Sequence, residues 1–237
     1  MSLENRVAVI TGATGGLGRV VARRLAQAGA RLALFSINQN HLDNLALALN
    51  LPLERYLTSA LDFRHPQAAR KAQELTLEKF KRADILINVI GGWTGGKMVI
   101  DFEPAQFDEM LQQHFWTTLH LAQAFIPGFM EQKWGRLMVV TSPNAALPPA
   151  KRAPYAVAKA AQETLVLAMA QELKASGVTA NILRVSTIDM DHARLSQPTD
   201  ANASWTLPEE IAEAILYLCS DEAGMVNGAR IPLYGSP

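Results

Sequence analysis

Short apolar runs alternate with longer stretches whose apolar residues recur at helical spacing, from one end of the chain to the other. Strands are expected near Val7 to Ile10, Leu32 to Phe35, Tyr56 to Ala60, Ile85 to Ile90, Leu137 to Thr141, Ala180 to Val185 and Arg230 to Leu233. Helices are expected from Leu17, near Gln39, after His65, after Pro104, near Trp116, around Pro154 and at Pro208, where proline or a polar cap precedes the apolar pattern. Strand and helix in strict alternation predict the α/β class, a mostly seven-stranded parallel sheet wound doubly, with helices on both faces. No linker, repeat or low-complexity segment interrupts the pattern, so one domain over residues 1–237 is expected. The polar stretch Asp189 to Thr206 breaks it. Lacking apolar periodicity, that stretch reads as a mobile loop beyond the sixth strand, where open α/β sheets bind ligands. It is either a cover for a substrate or a plain surface loop.

Composition narrows the class. Apolar residues make up 49% and charged residues 19%, the balance of a compact chain with a large core. Lys plus Arg equals Asp plus Glu at 22 each, with no basic stripe among aromatics, which argues against a nucleic-acid partner. Cys219 is the single cysteine, so no intrachain disulfide or cysteine-based metal site is expected, and it reads as a small buried hydrophobe in a late helix. The opening Met-Ser-Leu-Glu-Asn-Arg has no charged leader and apolar core, from which a cytoplasmic location is expected. No apolar run approaches the roughly 20 residues of a membrane span.

The first strand runs into a turn in V-A-V-I-T-G-A-T-G-G-L-G, with Gly12, Gly15, Gly16 and Gly18 before an Ala- and Leu-rich helix. Glycine lets backbone approach a diphosphate, whose charge then meets the amides and dipole of the helix N-terminus. The context is that of a Rossmann-type nucleotide turn. The end of the second strand commonly carries an acid for a free ribose 2′-hydroxyl or a base for a 2′-phosphate. Here Ser36, Ile37 and Asn38 supply neither, which leaves NAD or NADP and tips the reading toward NADP. Asp62 either accepts from the adenine amino group or caps its own turn.

Tyr155 and Lys159 are four residues apart in Y-A-V-A-K, and Ser142 precedes the tyrosine by thirteen. Positions i and i+4 share a helix face, so the lysine ammonium can reach the phenol or a ligand beside it. A nearby cation would lower the phenol from its usual value of about 10 and make it a usable acid at neutral pH. A surface tyrosine beside a solvated lysine would look the same.

With these pieces in order, the chain resembles the short-chain dehydrogenase/reductase family nearly end to end. T-G-A-T-G-G-L-G is similar to that family's cofactor turn, I-L-I-N-V-I-G-G to its fourth-strand motif, and G-R-L-M-V-V-T-S to the strand ending in its serine. Y-A-V-A-K follows at the family spacing, and L-P-E-E-I-A-E-A-I-L-Y-L-C-S-D with N-G-A-R-I-P-L-Y-G is similar to its last helix and strand. The resemblance implies an enzyme that passes hydride between NAD(P) and a ketone or secondary alcohol of a small molecule or acyl carrier. It implies Tyr155 as proton donor or acceptor, Ser142 as a hydrogen-bond partner of the substrate oxygen, and Lys159 as ribose ligand that lowers the tyrosine pKa. Its cofactor contacts would come from Gly12, Thr14, Gly15, Gly16, Leu17, Gly18, Ser36, Asp62, Phe63, Asn88, Gly91, Val185, Thr187 and Ile188.

Several positions depart from the family pattern. His114 stands where an asparagine usually serves a proton relay, and it either takes that part or packs beneath the site. Val89 and Ile90, Val185 and Ser186, and Met190 also differ on the nicotinamide side. G-G-W-T-G-G, Q-H-F-W-T-T, S-T-I-D and A-S-W-T-L-P look like the dihydropteridine reductase group, which would set Trp93 and Trp205 beside a flat heterocyclic substrate. Reduction of a quinonoid dihydropterin, and a nucleotide-binding scaffold with weak turnover, are therefore the competing functions. The resemblance further implies a homotetramer, or a dimer, built on the apolar helices of Phe107 to Met130 and Pro154 to Leu173.

Overall fold

The computed structural model describes residues 1–234; residues 235–237, the end of the expected domain and of its last motif, lie outside the described residues. Seven parallel strands, β1 (Val7–Thr11), β2 (Arg31–Ser36), β3 (Tyr56–Ala60), β4 (Ile85–Asn88), β5 (Gly135–Thr141), β6 (Val178–Arg184) and β7 (Arg230–Pro232), form one sheet in the order β3-β2-β1-β4-β5-β6-β7. Each expected strand is present, and the ends differ. β4 stops at Asn88 instead of Ile90, because the Asn88 side-chain oxygen accepts from Ile90 N at 3.1 Å and turns the chain out of the ladder. β6 begins two residues earlier than expected, at Val178, and ends at Arg184. Pro232 is tolerated in β7 because β7 is the sheet's edge.

Successive strand residues point to opposite faces, and the two faces are packed separately. Ala8, Ile10, Leu32, Leu34, Ile85 and Ile87 meet α1 (Gly16–Gln27), α2 (Gln39–Leu49) and α8 (Pro208–Leu218). Val7, Val9, Ala33, Phe35, Leu86 and Leu137 meet α3 (Pro66–Phe80), α5 (Thr117–Glu131) and α6 (Ala153–Glu172). This two-sided burial explains why the central strands read as unbroken apolar runs. β1 lies between β2 and β4, so the chain winds away from it in both directions and leaves a crevice at the carboxyl ends of these strands.

The helix expected after Pro104 and the one expected near Trp116 are a single continuous helix. α4 (Pro104–Leu111) passes through a π turn, Gln112–Trp116, into α5. Threonine hydroxyls meet carbonyls at the widened turn: Thr117 Oγ1 donates to Gln112 O at 3.0 Å and Thr118 Oγ1 to His114 O at 2.7 Å. The segment from Asp189 to Thr206 is also more ordered than its polarity suggests. A bridge between Ile188 and Thr206 closes its base, and the buried Asp189 carboxylate accepts from Ala193 N and Arg194 N at 2.9 and 2.8 Å to cap α7 (Ala193–Ser196). Internal hydrogen bonds replace the apolar periodicity there. Cys219 is buried just past α8, and among the described residues no helix is long and apolar enough to cross a membrane.

Candidate active site

The crevice between β1 and β4 is floored by the glycine turn. Gly12 holds φ at +75°, and a Cβ there would lie 3.0 Å from Ile90 N, so the turn can approach β4 only as glycine. A Cβ on Gly18 would collide with Gly12 O and the Ala13 backbone, which seats the start of α1 directly against the turn. The first amides of α1 have no partner within the helix and face the crevice with the positive end of its dipole. One sequence departure bears on this cradle: the Met190 thioether lies over Gly16, its sulfur 2.7 Å from where a Cβ would stand.

From the turn the cleft extends in two directions, with volumes of about 540 and 450 Å3, a scale suited to the two halves of a dinucleotide. The larger part holds Thr14, Ser36, Asn38, His41, Asp62 and Phe63. Thr14 and Ser36 share a hydroxyl hydrogen bond of 2.5 Å. The Asp62 carboxylate caps its turn, accepting from Arg64 N at 3.0 Å and holding the Arg64 guanidinium at 2.6 Å, and the latter hydrogen bond lowers its pKa. Arg64 lines the same part of the cleft. The smaller part is lined by Leu17, Gly91, His114, Tyr155, Lys159 and Val185, with Ile188 and the exposed Trp93 at its rim.

Four expected positions lie off the cleft wall, Ser142 among them. Asn88 is buried behind it, joined to Thr11 Oγ1 at 2.9 Å and donating to Thr118 Oγ1 at 3.0 Å. Thr187 is exposed and engaged through its carbonyl with Thr206 N. Trp205, expected to flank the opening opposite Trp93, is partly buried within the 189–206 segment, where its carbonyl accepts from Arg194 at 3.0 Å.

Ser142 directly follows β5, buried, and its hydroxyl accepts from Asn144 N at 3.3 Å. Tyr155 stands in the first turn of α6. Burial raises its phenol pKa, against opposing contributions from the Ser142 hydroxyl and the Arg152 charge. The expected lowering by Lys159 is absent. Lys159 Nζ lies 5.9 Å from the Tyr155 ring centre and donates instead to Val140 O at 2.8 Å and Gln162 Oε1 at 3.0 Å. Burial also brings the Lys159 ammonium down to about 7, with Glu163 working against it, so its charge is only partial at neutral pH. Burial thus favours the protonated phenol of Tyr155.

His114 packs edge-on against Tyr155, ring centres 5.6 Å apart, with Nε2 3.1 Å from Gly92 O. Burial, then the Lys159 charge, pushes its pKa well below the usual value despite the Gly92 contact, so the ring is neutral. A neutral ring facing a carbonyl through Nε2 carries its proton there and leaves Nδ1 bare; that buried nitrogen has no partner. Behind Lys159, Glu163 would be raised by burial, but Arg184, Thr141 and Arg230 hold its carboxyl below the usual range.

A mononucleotide-sized space on each side of a glycine turn at the switch point of a doubly wound sheet defines a dinucleotide-binding oxidoreductase fold. The cradle of unpartnered amides and the inward lysine fit a nicotinamide dinucleotide. The short chain dehydrogenase family matches residues 6–201, and the chain belongs to that family. It is accordingly an NAD(P)-dependent oxidoreductase of the ketone and alcohol class. Over 243 residues it is 26% identical to the 3-oxoacyl-[acyl-carrier-protein] reductase of Salmonella typhimurium, covering 99% of this chain and 98% of that one. It is 28% identical to an uncharacterized oxidoreductase of Staphylococcus aureus over 91% of both chains. Among solved structures, a Bacillus thuringiensis protein described as a 3-oxoacyl-reductase superposes with a TM-score of 0.85 at 25% identity, over 96% of this chain and 95% of that chain. The fold is also that of gox2181, at a TM-score of 0.87 and 22% identity over 98% and 95% of the two chains. The narrower likeness to dihydropteridine reductases finds no support among these relatives.

The sequence reading passed over Gln162 and Thr118. Both are buried and polar, and both contact the lysine's surroundings. The signal was present: Gln162 and Glu163 are a polar pair inside an otherwise apolar helix, and Gln162 stands at i+3 from Lys159, on the same face.

Proposed function

We propose that this chain reduces the ketone of a small molecule, or of an acyl chain borne on a carrier, using NADPH in preference to NADH, with Tyr155 as the proton donor. The observation that carries this reading is that Tyr155 and Lys159 line the smaller part of the cleft, with the Ser142 hydroxyl just past β5 acting on the Tyr155 phenol. When bound, the nicotinamide supplies the hydride. Ser142 holds the substrate oxygen, and Tyr155, protonated at rest, gives that oxygen its proton. Lys159, held by Val140 and Gln162, directs an N–H toward the ribose. The bare Nδ1 of His114 can only accept, and its Nε2 proton faces a carbonyl, so the ring positions Tyr155 by packing and passes no proton onward.

The preference for NADPH rests on charge. Ser36 and Asn38 bring no carboxylate to the 2′ position, Asp62 is engaged by Arg64, and the Arg64 guanidinium lines the same part of the cleft. The chain would work as one nucleotide-binding unit with the 189–206 segment over the substrate side and Trp93 at the opening. Exposed Trp116 of the π turn, Met130 of α5 and Val157 of α6 suit an association of copies as a tetramer or dimer. Consumption of NADPH and of NADH against a panel of ketones, 3-oxoacyl thioesters and quinonoid dihydropterin tests the reading. Ser142→Ala should lower ketone turnover at least tenfold; turnover near the unmodified rate would overturn the carbonyl mechanism.

A further inference from the structure

We propose that Gln162 is a positioning residue, the inner half of a two-point clamp that fixes the Lys159 amine so that its one remaining valence faces the cleft. Lys159 Nζ donates to Val140 O at 2.8 Å and to Gln162 Oε1 at 3.0 Å. An ammonium has three N–H bonds, so two are held inside the protein and the third is left for the cleft that Lys159 lines. Val140 is backbone and unchanged by substitution. Gln162 is the part of the clamp that the side-chain code selects.

The direction of the Gln162 amide is set from behind. Gln162 Nε2 donates to Thr118 Oγ1 at 2.9 Å, and Asn88 Nδ2 donates to the same oxygen at 3.0 Å. Thr118 spends its single proton on His114 O at 2.7 Å. A hydroxyl that gives its proton away and accepts twice has no further capacity, so Gln162 must present its nitrogen to Thr118 and its oxygen to Lys159. Reversing the amide would set NH2 against the lysine and a carbonyl oxygen against a hydroxyl with no proton to offer. Thr11, Asn88, Thr118, Gln162 and Lys159 are all buried, so no member can turn to water for a substitute. The chain of bonds runs from the end of β1 to the lysine, which joins the glycine turn to the catalytic helix.

The clamp acts whether the amine is charged or neutral. A neutral amine keeps both protein bonds with its two protons and turns its lone pair to the cleft. The inward valence therefore alternates between N–H and lone pair with the titration of one proton. The charged and titratable groups around it are Tyr155 and Glu163 on its own helix and His114 on the π turn, with Arg184 of β6 and Arg230 of β7 engaging Glu163. Burial holds Lys159 at about 7, so both forms are populated near neutrality.

The role rests on the proposed contact of Lys159 with the cofactor ribose, and the two can be tested apart. Protein labelled with 13C at lysine Cε is titrated by NMR without cofactor, with Lys159→Met to assign the signal, and NADPH affinity is followed by fluorescence across pH 5.5 to 9.5. Gln162→Met removes the acceptor, and the Lys159 midpoint should fall by about one unit. Gln162→Glu sets an acid beside the amine, and the midpoint should rise by roughly 1–3 units. NADPH affinity should weaken as pH rises through each variant's own midpoint. A purely structural glutamine would change stability and leave the midpoint in place. Unchanged midpoints in folded variants overturn the clamp; if Gln162→Met fails to fold, an unchanged midpoint in Gln162→Glu overturns it alone. Midpoints that move while NADPH affinity stays flat with pH uphold the clamp and overturn the ribose contact.

Discussion

The two ends of the cleft are built from different materials. On the glycine side the floor is backbone, a turn that only Gly12 permits and the first amides of α1, with the Asp62 and Arg64 pair beside it. On the catalytic side it is side chain, a buried run from Thr11 through Asn88, Thr118 and Gln162 to Lys159, with His114 and Glu163 beside it. Backbone amides recognise a diphosphate by position and tolerate many neighbours. Buried side chains tolerate few, because each unmatched donor or acceptor costs roughly 1–3 kcal/mol. The glycine side should therefore fail by steric collision and the catalytic side by loss of pairing or of a proton.

The largest effect tests the catalytic end. Tyr155→Phe should lower turnover by about 100- to 10,000-fold while NADPH affinity changes less than about threefold; single-turnover kinetics with a fluorescence titration separate the two. Next, Gly18→Val should break the backbone end, since its side chain must enter the space of Gly12 O and the Ala13 backbone. A loss of about 1–3 kcal/mol in urea unfolding, together with lost NADPH binding, is expected. Equal NADPH affinity in that variant would refute the backbone reading of the turn.

A change of charge without collision sharpens the contrast. Ser36→Asp places a carboxylate at the end of β2 and should shift preference toward NADH by about tenfold, or 1.4 kcal/mol, measured as the ratio of dissociation constants. The pH dependence of stability probes the buried end. Lys159 in the folded protein is lowered from 10.5 to about 7, so between those values the unfolded chain binds the extra proton. Stability should rise with pH from about 7 to 10 and be insensitive to this group below 7; Lys159→Met should flatten that rise in urea midpoints. The smallest effect belongs to Met190, whose thioether covers Gly16. Met190→Ala should tighten NADPH binding about two- to fivefold, read by fluorescence titration.

Both helix junctions and loop order show where sequence periodicity loses information. α4 and α5 read as two helices because the apolar phase slips at Gln112–Trp116, yet the slip is a π turn whose carbonyls at Gln112 and His114 are met by Thr117 and Thr118. The 189–206 segment reads as a loop because nothing apolar repeats, yet Asp189, Arg194 and Asn202 order it through hydrogen bonds. Trp205 belongs to the same ordered segment, its carbonyl held by Arg194. Polar contacts carry no period, so they are invisible to a pattern of hydrophobic positions.

By itself the sequence determined the sheet with helices on both faces, the glycine turn and the order and spacing of Ser142, Tyr155 and Lys159. These follow from local rules: alternation, helical phase, the backbone freedom of glycine and fixed spacing on one helix. Only the tertiary structure decided the protonation of that set. Burial keeps Tyr155 a phenol, brings Lys159 to about 7 and leaves His114 neutral, and it turns the lysine toward Val140 and Gln162 instead of the tyrosine. Desolvation and hydrogen-bond partners depend on what elements distant in the chain place around a group, and no spacing along one helix records that.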